Sequence, residues 1–291
     1  MLGVKAEFVL DYYNKRLKVM DYIGVFQIIT GILKIIAKKE EIEKIIVYTP
    51  PEKEHELQIC GFVKEGIIEG YYSGKTCHVF SSYPEHTRGI SFHKEKEDAI
   101  IESCLKTGKI PGKTSKILEK SPKKRNMEKE EGKILLPEDF TVRPAVQADA
   151  LVMAKLYREE FQFYPVPLHV EKYVLETMDS SVLYFLVEKK GVVVSLASAE
   201  MDFSNGNAEI TDCVTIPSER GKGLIKGLIT TLENELLDRG FQSTYTLCRA
   251  SSSGINLAFA SLGYDYTGRL VNNCRIGNGY EDMNIWCKIL K

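Results

Sequence analysis

The sequence predicts two α/β units, the second built on a mixed sheet with helices on both faces. Three observations carry that reading. The C-terminal half alternates strand-like and amphipathic helical runs in the order β-α-α-β-β-β-α-β-α-β-β. A charged stretch, residues 113–133, precedes that half; 12 of its 21 residues are charged, and only Ile117, Leu118 and Met127 are apolar. Such a segment buries too little surface to hold a fold, so it reads as a linker between domains 1–112 and 134–291. Finally, 291 residues with 44% hydrophobic and 27% charged content suffice for two soluble domains, each with its own core.

In chain order, the first domain offers strand-like "KAEFVLDYY" and "RLKVMDYIG", helical "VFQIITGILKIIAKKEEI", then "EKIIVYTP" and the longer run "LQICGFVKEGIIEGYYSGKTCHVFSSYP". In the second domain "FTVRPA" (140–145) reads as a strand and "ADALVMAKLYREEF" (148–161) as a helix with Asp149 in its first turn. "YPVPL" excludes helix through its prolines, and "VEKYVLETMD" is a second short helix. "VLYFLVEKK", "GVVVSLASAEMDF" and "NAEITDCVTIP" follow as strands, with "EKKG" and "SNGN" as turns. Residues 222–239 carry one apolar stripe, Leu224, Ile225, Leu228, Ile229, Leu232, Leu236 and Leu237, and Gly240 ends that helix. A strand "STYTLCRA", a helix "SGINLAFASLG" and a closing pair "YDYTGRLVN" and "DMNIWCKIL" complete the order.

The charge balance, 39 basic against 40 acidic residues, points to neither nucleic acid nor a membrane surface as partner. The N-terminus lacks the basic-then-apolar order of a secretory signal, and the apolar runs are too short to span a bilayer, so a cytoplasmic protein is expected. Seven scattered cysteines without a C-x-x-C pair, and five histidines without paired spacing, read as buried thiols and not as a metal site.

The chemistry concentrates at "VTIPSERGKGLIKGL". A helix start leaves backbone N–H groups unpaired and carries partial positive charge, which suits a phosphate. Gly221 and Gly223 let the backbone approach a ligand, and Arg220 and Lys222 add charge suited to a diphosphate. The loop is neither a Walker loop nor a dinucleotide fingerprint. In this context of strands and helices the second domain resembles the GNAT superfamily of acetyl-CoA-dependent N-acetyltransferases, whose loop reads [QR]-x-x-G-x-[GA]. Arg220-Gly221-Lys222-Gly223-Leu224-Ile225 stands in its place, with Ile225 where the family has a small residue. "FYPVPL", "AEITDCVTIPSERGKGL", "YTLCRASSSGIN", "FASLGYDYTGRLVNN" and "EDMNIW" narrow the resemblance to the beta-lysine N6-acetyltransferase family. It implies acetyl transfer from acetyl-CoA to the terminal amine of (3S)-3,6-diaminohexanoate, the product of a lysine 2,3-aminomutase. The product of that transfer is a compatible solute.

An amine of pKa about 10.4 must lose a proton before it attacks a thioester, so the reaction needs a base and donors for the developing oxyanion. The resemblance places the donors on the strand before the loop, around Cys213, Val214 and Thr215, with direct transfer and no acyl-cysteine. Glu209 and Asp212 on that strand are the base candidates; three positions apart, they face opposite sides of a regular strand unless a bulge intervenes. Glu200 and Asp202 are candidates for the second ammonium group. The family's acid tyrosine and its asparagine fall on Phe259 and Ser252, which leaves Tyr264 as the acid candidate, with Tyr266 and Tyr245 behind it. Asn256 is a candidate pantetheine contact. A substrate carboxylate calls for a guanidinium, Arg249 ahead of Arg269 and Arg275, and Asn272, Asn273 and Tyr164 are candidates to finish the pocket.

"GFVKEG" (61–66) and "GYDYTG" (263–268) share a G-[FY]-x-x-x-G frame, each followed by strand-like runs. The first domain is therefore expected to be a partial GNAT-like sheet without a phosphate loop, which either covers one side of the cleft or makes a homodimer. Acetylation of another small amine, such as a polyamine or lysine, and a non-catalytic acyl-CoA-binding module are the alternatives.

Overall fold

The computed structural model describes residues 3–108, 136–161, 164–277 and 279–290, so the expected linker 113–133 lies outside the described residues. The first unit contains β1 (Lys5–Asp11), β2 (Arg16–Ile23), α1 (Phe26–Lys39), β3 (Lys44–Thr49), α2 (Glu54–Ile59), β4 (Val63–Tyr72), β5 (Lys75–Ser82) and α3 (Lys94–Gly108). The second contains β6 (Phe140–Pro144), α4 (Ala150–Glu160), α5 (Glu171–Met178), β7 (Val182–Lys189), β8 (Val192–Asp202) and β9 (Asn207–Thr215). It continues with α6 (Leu224–Asp238), β10 (Ser243–Arg249), α7 (Ser253–Ser261), β11 (Asp265–Ile276) and β12 (Gly279–Ile289).

Every strand expected from the sequence forms. All join one 12-stranded sheet of order β1-β2-β3-β5-β4-β11-β12-β10-β9-β8-β7-β6. The apolar stripe of α6 is why that helix forms where it does: Leu224, Leu228, Ile229, Leu232 and Leu236 are buried against Phe185, Ala197 and Ile210 of the sheet. Burying each such side chain is worth about 1.5–3 kcal/mol. The helices α4 and α5 cover the opposite face through Met153, Leu156, Tyr157 and Val174, so this half has helices on both sides.

The two units repeat one topology. In the first, β1 pairs antiparallel with β2, β2 parallel with β3, β3 antiparallel with β5 and β5 antiparallel with β4. In the second, β8, β9, β10, β12 and β11 are joined in the same order and the same directions. The equivalent strands β4 and β11 then meet each other, and their one ladder pair is Gly66 with Gly268, the last glycines of the two related frames. A Cβ on Gly268 would sit 2.4 Å from both the Glu65 carbonyl oxygen and the Gly66 Cα. Backbone cannot yield as a side-chain tip does, so the close approach requires glycine.

Polar ties flank this seam. Thr267 donates to the Ile67 carbonyl at 2.6 Å, and Glu65 accepts from the Val271 amide. The buried Lys44 pairs with Glu65 at 2.8 Å and donates to the Val271 carbonyl. Arg88 joins the Asn14 and Asn272 carbonyls, and stacks over Tyr280. Between the units lies a cluster drawn from both, including Ile46, Tyr48, Ile68, Tyr71, Leu270, Met283 and Ile285.

Gly268→Val is expected to destabilise the protein by about 1–3 kcal/mol, the usual cost of forcing extra carbons into a packed site. Thermal unfolding measures this as a lowered Tm. Gly277→Val, at a turn with nothing within 4 Å of a Cβ, controls for the effect of a positive φ (67°) alone.

Candidate active site

The turn between β9 and α6 supplies a seat for an anion. Gly221 and Gly223 have φ of 77° and 80°, a left-handed conformation that glycine adopts without strain. Gly223 caps α6 with no side-chain acceptor at the helix start. The first amide bonded within the helix is that of Gly227, to the Gly223 carbonyl, so the amides of residues 221–226 have no acceptor among the described residues. Six consecutive donors at the positive end of a four-turn helix fit a diphosphate. The side chains contribute less than the sequence suggests. Arg220 is turned back on the Thr215 carbonyl and pairs with Glu160, and Lys222 pairs with Glu219. Both shape the loop, and the anion seat is made by backbone. Ile225 leaves its amide in place, as expected of a position where only the N–H matters.

Beside this seat the sheet opens. The parallel pairing of β9 with β10 runs from Asn207–Ser243 to Glu209–Tyr245 and then stops. Beyond it, residues 210–215 have a ladder partner only on the β8 side, so backbone groups facing β10 are open for a ligand. Of the two expected residues, Thr215 presents its amide to this free edge, whereas Val214 turns its backbone groups to β8.

A β-bulge decides how the carboxylates are arranged. Leu196 pairs with Val214 and Ser198 with Thr211, so Asp212 and Cys213 together oppose Ala197. Asp212 takes up the extra residue at φ 51°. The bulge overrides strict alternation and brings Asp212 toward the face of Glu209. Asp212 is buried, its two carboxylate oxygens accept from Tyr164 and Ser198 at 2.9 Å each, and its carbonyl accepts from Tyr157. Burial raises its pKa, while the hydrogen bonds from Tyr164 and Ser198 oppose that rise.

Glu209 faces directly across to Glu200 on β8. Both line a recess of about 180 Å³ together with Tyr71, Asp202, Asn207 and Tyr245. Burial and the facing Glu200 push the Glu209 carboxyl up to about 8, and burial with the Asp212 charge raises that of Glu200. Tyr71 comes from the first unit, and its carbonyl accepts from Asn207 at 2.6 Å, so both units build the recess.

Several expected site residues have other tasks. Tyr264 is buried on the α6 side of the sheet, where its hydroxyl pairs with Thr244 and its ring packs on Phe259. That is the face opposite Glu209, so Tyr264 is not placed to protonate a leaving group there. Asn256 is wholly buried; its carbonyl oxygen accepts from Cys248, Asn284 and Trp286, and its amide donates to the Arg249 and Ser252 carbonyls. It is a packing hub with no capacity left for a cofactor. Asp202 lines the recess, yet its oxygens accept from Ser204 and Asn205 and fix the β8–β9 turn. Arg249 is clamped by Glu281 in a two-pronged pair. Asn272 ties the units together through the Arg88 and Ile90 carbonyls, and Asn273 is buried, its side-chain amide against the Cys274 sulfur and its carbonyl accepting from Arg16. Tyr164, stacked on Phe161, does reach the site, as the partner of Asp212. The Cys213 thiol is pushed up by burial and the Asp212 charge, which disfavours a thiolate nucleophile.

Known proteins agree with this geometry. The Acetyltransferase (GNAT) family model matches residues 152–264, from α4 through the loop to the end of α7. A beta-lysine N(6)-acetyltransferase of Methanosarcina mazei is 63% identical over 93% of this chain and 100% of its own length. The chain belongs to the GNAT acetyltransferases. The N-acetyltransferase YodP of Bacillus subtilis is 35% identical over 99% of this chain and 97% of its own. Among solved structures, a Salmonella typhimurium protein with its cofactor acetyl-CoA is 18% identical, with a TM-score of 0.47 over 53% of this chain and 95% of that one. As a GNAT acetyltransferase this enzyme takes its acetyl group from acetyl-CoA, and its backbone seat and open strand edge fit a diphosphate and an extended pantetheine arm.

Two measurements test the site. Gly223→Val, which forces a β-branched residue into a left-handed cap, is expected to raise KM for acetyl-CoA at least about tenfold, with a smaller change in kcat, since anion binding precedes chemistry. The raised Glu209 carboxyl holds its proton more tightly in the folded than in the unfolded protein. The folded state therefore loses stability as pH rises from 4.5 toward about 8. Glu209→Gln is expected to be more stable than wild type above pH 8, with the advantage shrinking toward pH 4.5; denaturant unfolding at several pH values reads this directly.

Proposed function

We propose that this enzyme transfers the acetyl group of acetyl-CoA to the N6 amine of beta-lysine, with Glu209 as the base. The observation that carries the substrate is the 63% identity, over nearly the whole chain, to the Methanosarcina mazei enzyme. The recess supports it physically. Glu200 and Glu209 line it and Asp212 lies on the same face of β9, so acidic groups collect on one side, which suits a diamine better than a monoamine.

The amine arrives protonated and must lose a proton. Glu209 is open to the recess, and a carboxyl with a raised pKa can take that proton near neutral pH. Asp212 has both oxygens engaged, so it positions the bulge and Tyr164 and leaves the proton transfer to Glu209. The Thr215 amide, which points away from β8 beyond the end of the β9–β10 ladder, is open to stabilise an oxyanion, whereas the Val214 amide faces β8. When bound, acetyl-CoA supplies the activated acyl group as a thioester. The first unit covers one side of the recess through Tyr71, and this is its proposed role in preference to making a homodimer. All seven cysteines are free thiols, which suits a reducing cytoplasm.

Purified protein with acetyl-CoA, assayed for CoA release against beta-lysine, lysine and spermidine, tests the reading. Beta-lysine is expected to give the highest kcat/KM; preference for spermidine would overturn it. Glu209→Gln is expected to lower kcat by about 10²–10⁴-fold, the usual worth of a positioned base.

A further inference from the structure

We propose that β2 of the first unit binds the carboxylate of the amine substrate through Arg16 and Lys18. The inference rests on the proposed substrate and adds the residues that select it. A beta-lysine molecule has two ammonium groups and a carboxylate, and the charged side chains that line the recess described above are all carboxylates. Among the described residues, no cation of the second unit lines it. The arginine best placed by sequence, Arg249, is already committed to Glu281.

The first unit provides the missing charge. Alternation along β2 sends Leu17 and Val19 into the core beneath α1, so Arg16, Lys18 and Met20 point to the other face. Met20 packs there against the cluster that contains Tyr48 and Tyr71. These rings stack at 5.7 Å, and Tyr71 lines the recess with Glu200 and Glu209. The face of β2 thus looks across the aromatic floor to the carboxylates, although β2 and β9 are far apart in the strand order. The end of β4 bridges them, with the Tyr71 carbonyl accepting from Asn207 of β9 and the Gly70 carbonyl from Ser243 of β10. Lys18 is close enough to oppose the rise of both Glu200 and Glu209.

Arg16 is held rigidly. Its Nε donates to Asp11 at 2.7 Å, and its Nη1 donates to the Asn273 carbonyl at 3.2 Å and contacts the Cys274 sulfur. The Nη2 group has no partner among the described residues. Lys18 makes no ion pair among them either. A fixed guanidinium with a spare donor, next to a half-buried ammonium, is the arrangement that recognises a carboxylate. Opposite them, the carboxylates of β8 and β9 hold the ammonium end. The two walls fix both the polarity and the length of the substrate, and each comes from a different unit.

The probe is 1,4-diaminopentane, which is beta-lysine without its carboxylate and keeps both amines at the same spacing. Wild type is expected to favour beta-lysine by about tenfold or more in kcat/KM, the scale of a charged hydrogen-bonded pair. Lys18→Met breaks no ion pair, and Arg16→Gln removes the fork. Each is expected to raise KM for beta-lysine about 10–100-fold more than KM for 1,4-diaminopentane, while KM for acetyl-CoA stays within about twofold; in Lys18→Met a change in kcat through Glu209 falls on both amines alike. The unchanged constant for acetyl-CoA also reports an intact fold. Equal turnover of both amines by wild type, or an equal rise in KM for both in Lys18→Met, overturns the proposal and leaves the substrate reading standing. If wild type acetylates neither amine, the substrate reading itself fails and takes the proposal with it.

Discussion

The close approach of two backbones at Gly66 and Gly268 is the constraint on which the rest depends. At this pair the β4 edge of one unit becomes continuous with the β11 edge of the other, and one sheet replaces two. Because no Cβ intervenes, β4 and β11 approach closely at this pair. The far end of β4 then meets β9 and β10 directly, with Asn207 on the Tyr71 carbonyl and Ser243 on the Gly70 carbonyl, so Tyr71, from the first unit, lines a recess whose carboxylates belong to the second. The seam's other ties raise the cost of opening it. Lys44 is fully buried, and burial lowers its pKa; separating it from Glu65 would leave an uncompensated charge inside the protein.

Within that enclosure the bulge at Asp212 sets the electrostatics. Without the extra residue, Asp212 and Glu209 would face opposite sides of the strand. With it, three carboxylates share one neighbourhood, and each disfavours ionisation of the next. The hydrogen bonds then separate their roles. Asp212, held by Tyr164 and Ser198, keeps donor partners for its charge, whereas burial and the facing Glu200 outweigh the relief that Lys18 and Tyr245 give Glu209. The same arrangement that makes Glu209 a competent base costs folding stability at high pH. A cationic substrate relieves that repulsion on entering, so binding and enclosure favour each other.

Much of this was legible in the sequence. Strand and helix periodicity located the sheet, because α6 and β7–β9 carry unambiguous patterns. The glycine spacing at 221 and 223 located the anion seat, because left-handed backbone and free amides are local properties. Local signals stop at long-range partnerships. Asn256 has the composition of a ligand contact, and only the fold shows Trp286, Asn284 and Cys248 converging on it. Arg249 looked available until β12 brought Glu281 beside it. Tyr264 was chosen for its hydroxyl, and the face it occupies depends on how β11 sits against α7. The helices α2 and α3 escaped notice because they are short or heavily charged, and α3 is positioned by packing near α7 more than by its own amphipathicity.

The repeated topology explains why the two units are not interchangeable. Both have the strand order that places a parallel pair beside a helix start, but only the second has the Arg-Gly-Lys-Gly turn. In the first, β2 leads through the single Gly24 to Val25 at the start of α1, with no second glycine and no basic residue in the turn. The turn that builds the diphosphate seat of the second unit is thus not repeated in the first. What it retains is the sheet itself. β2 suits a binding role because its outward side chains can be altered without touching the core beneath α1. Arg16, Lys18 and Met20 alternate with Leu17 and Val19 for that reason: one face of β2 holds the unit together, and the other is free to meet the substrate.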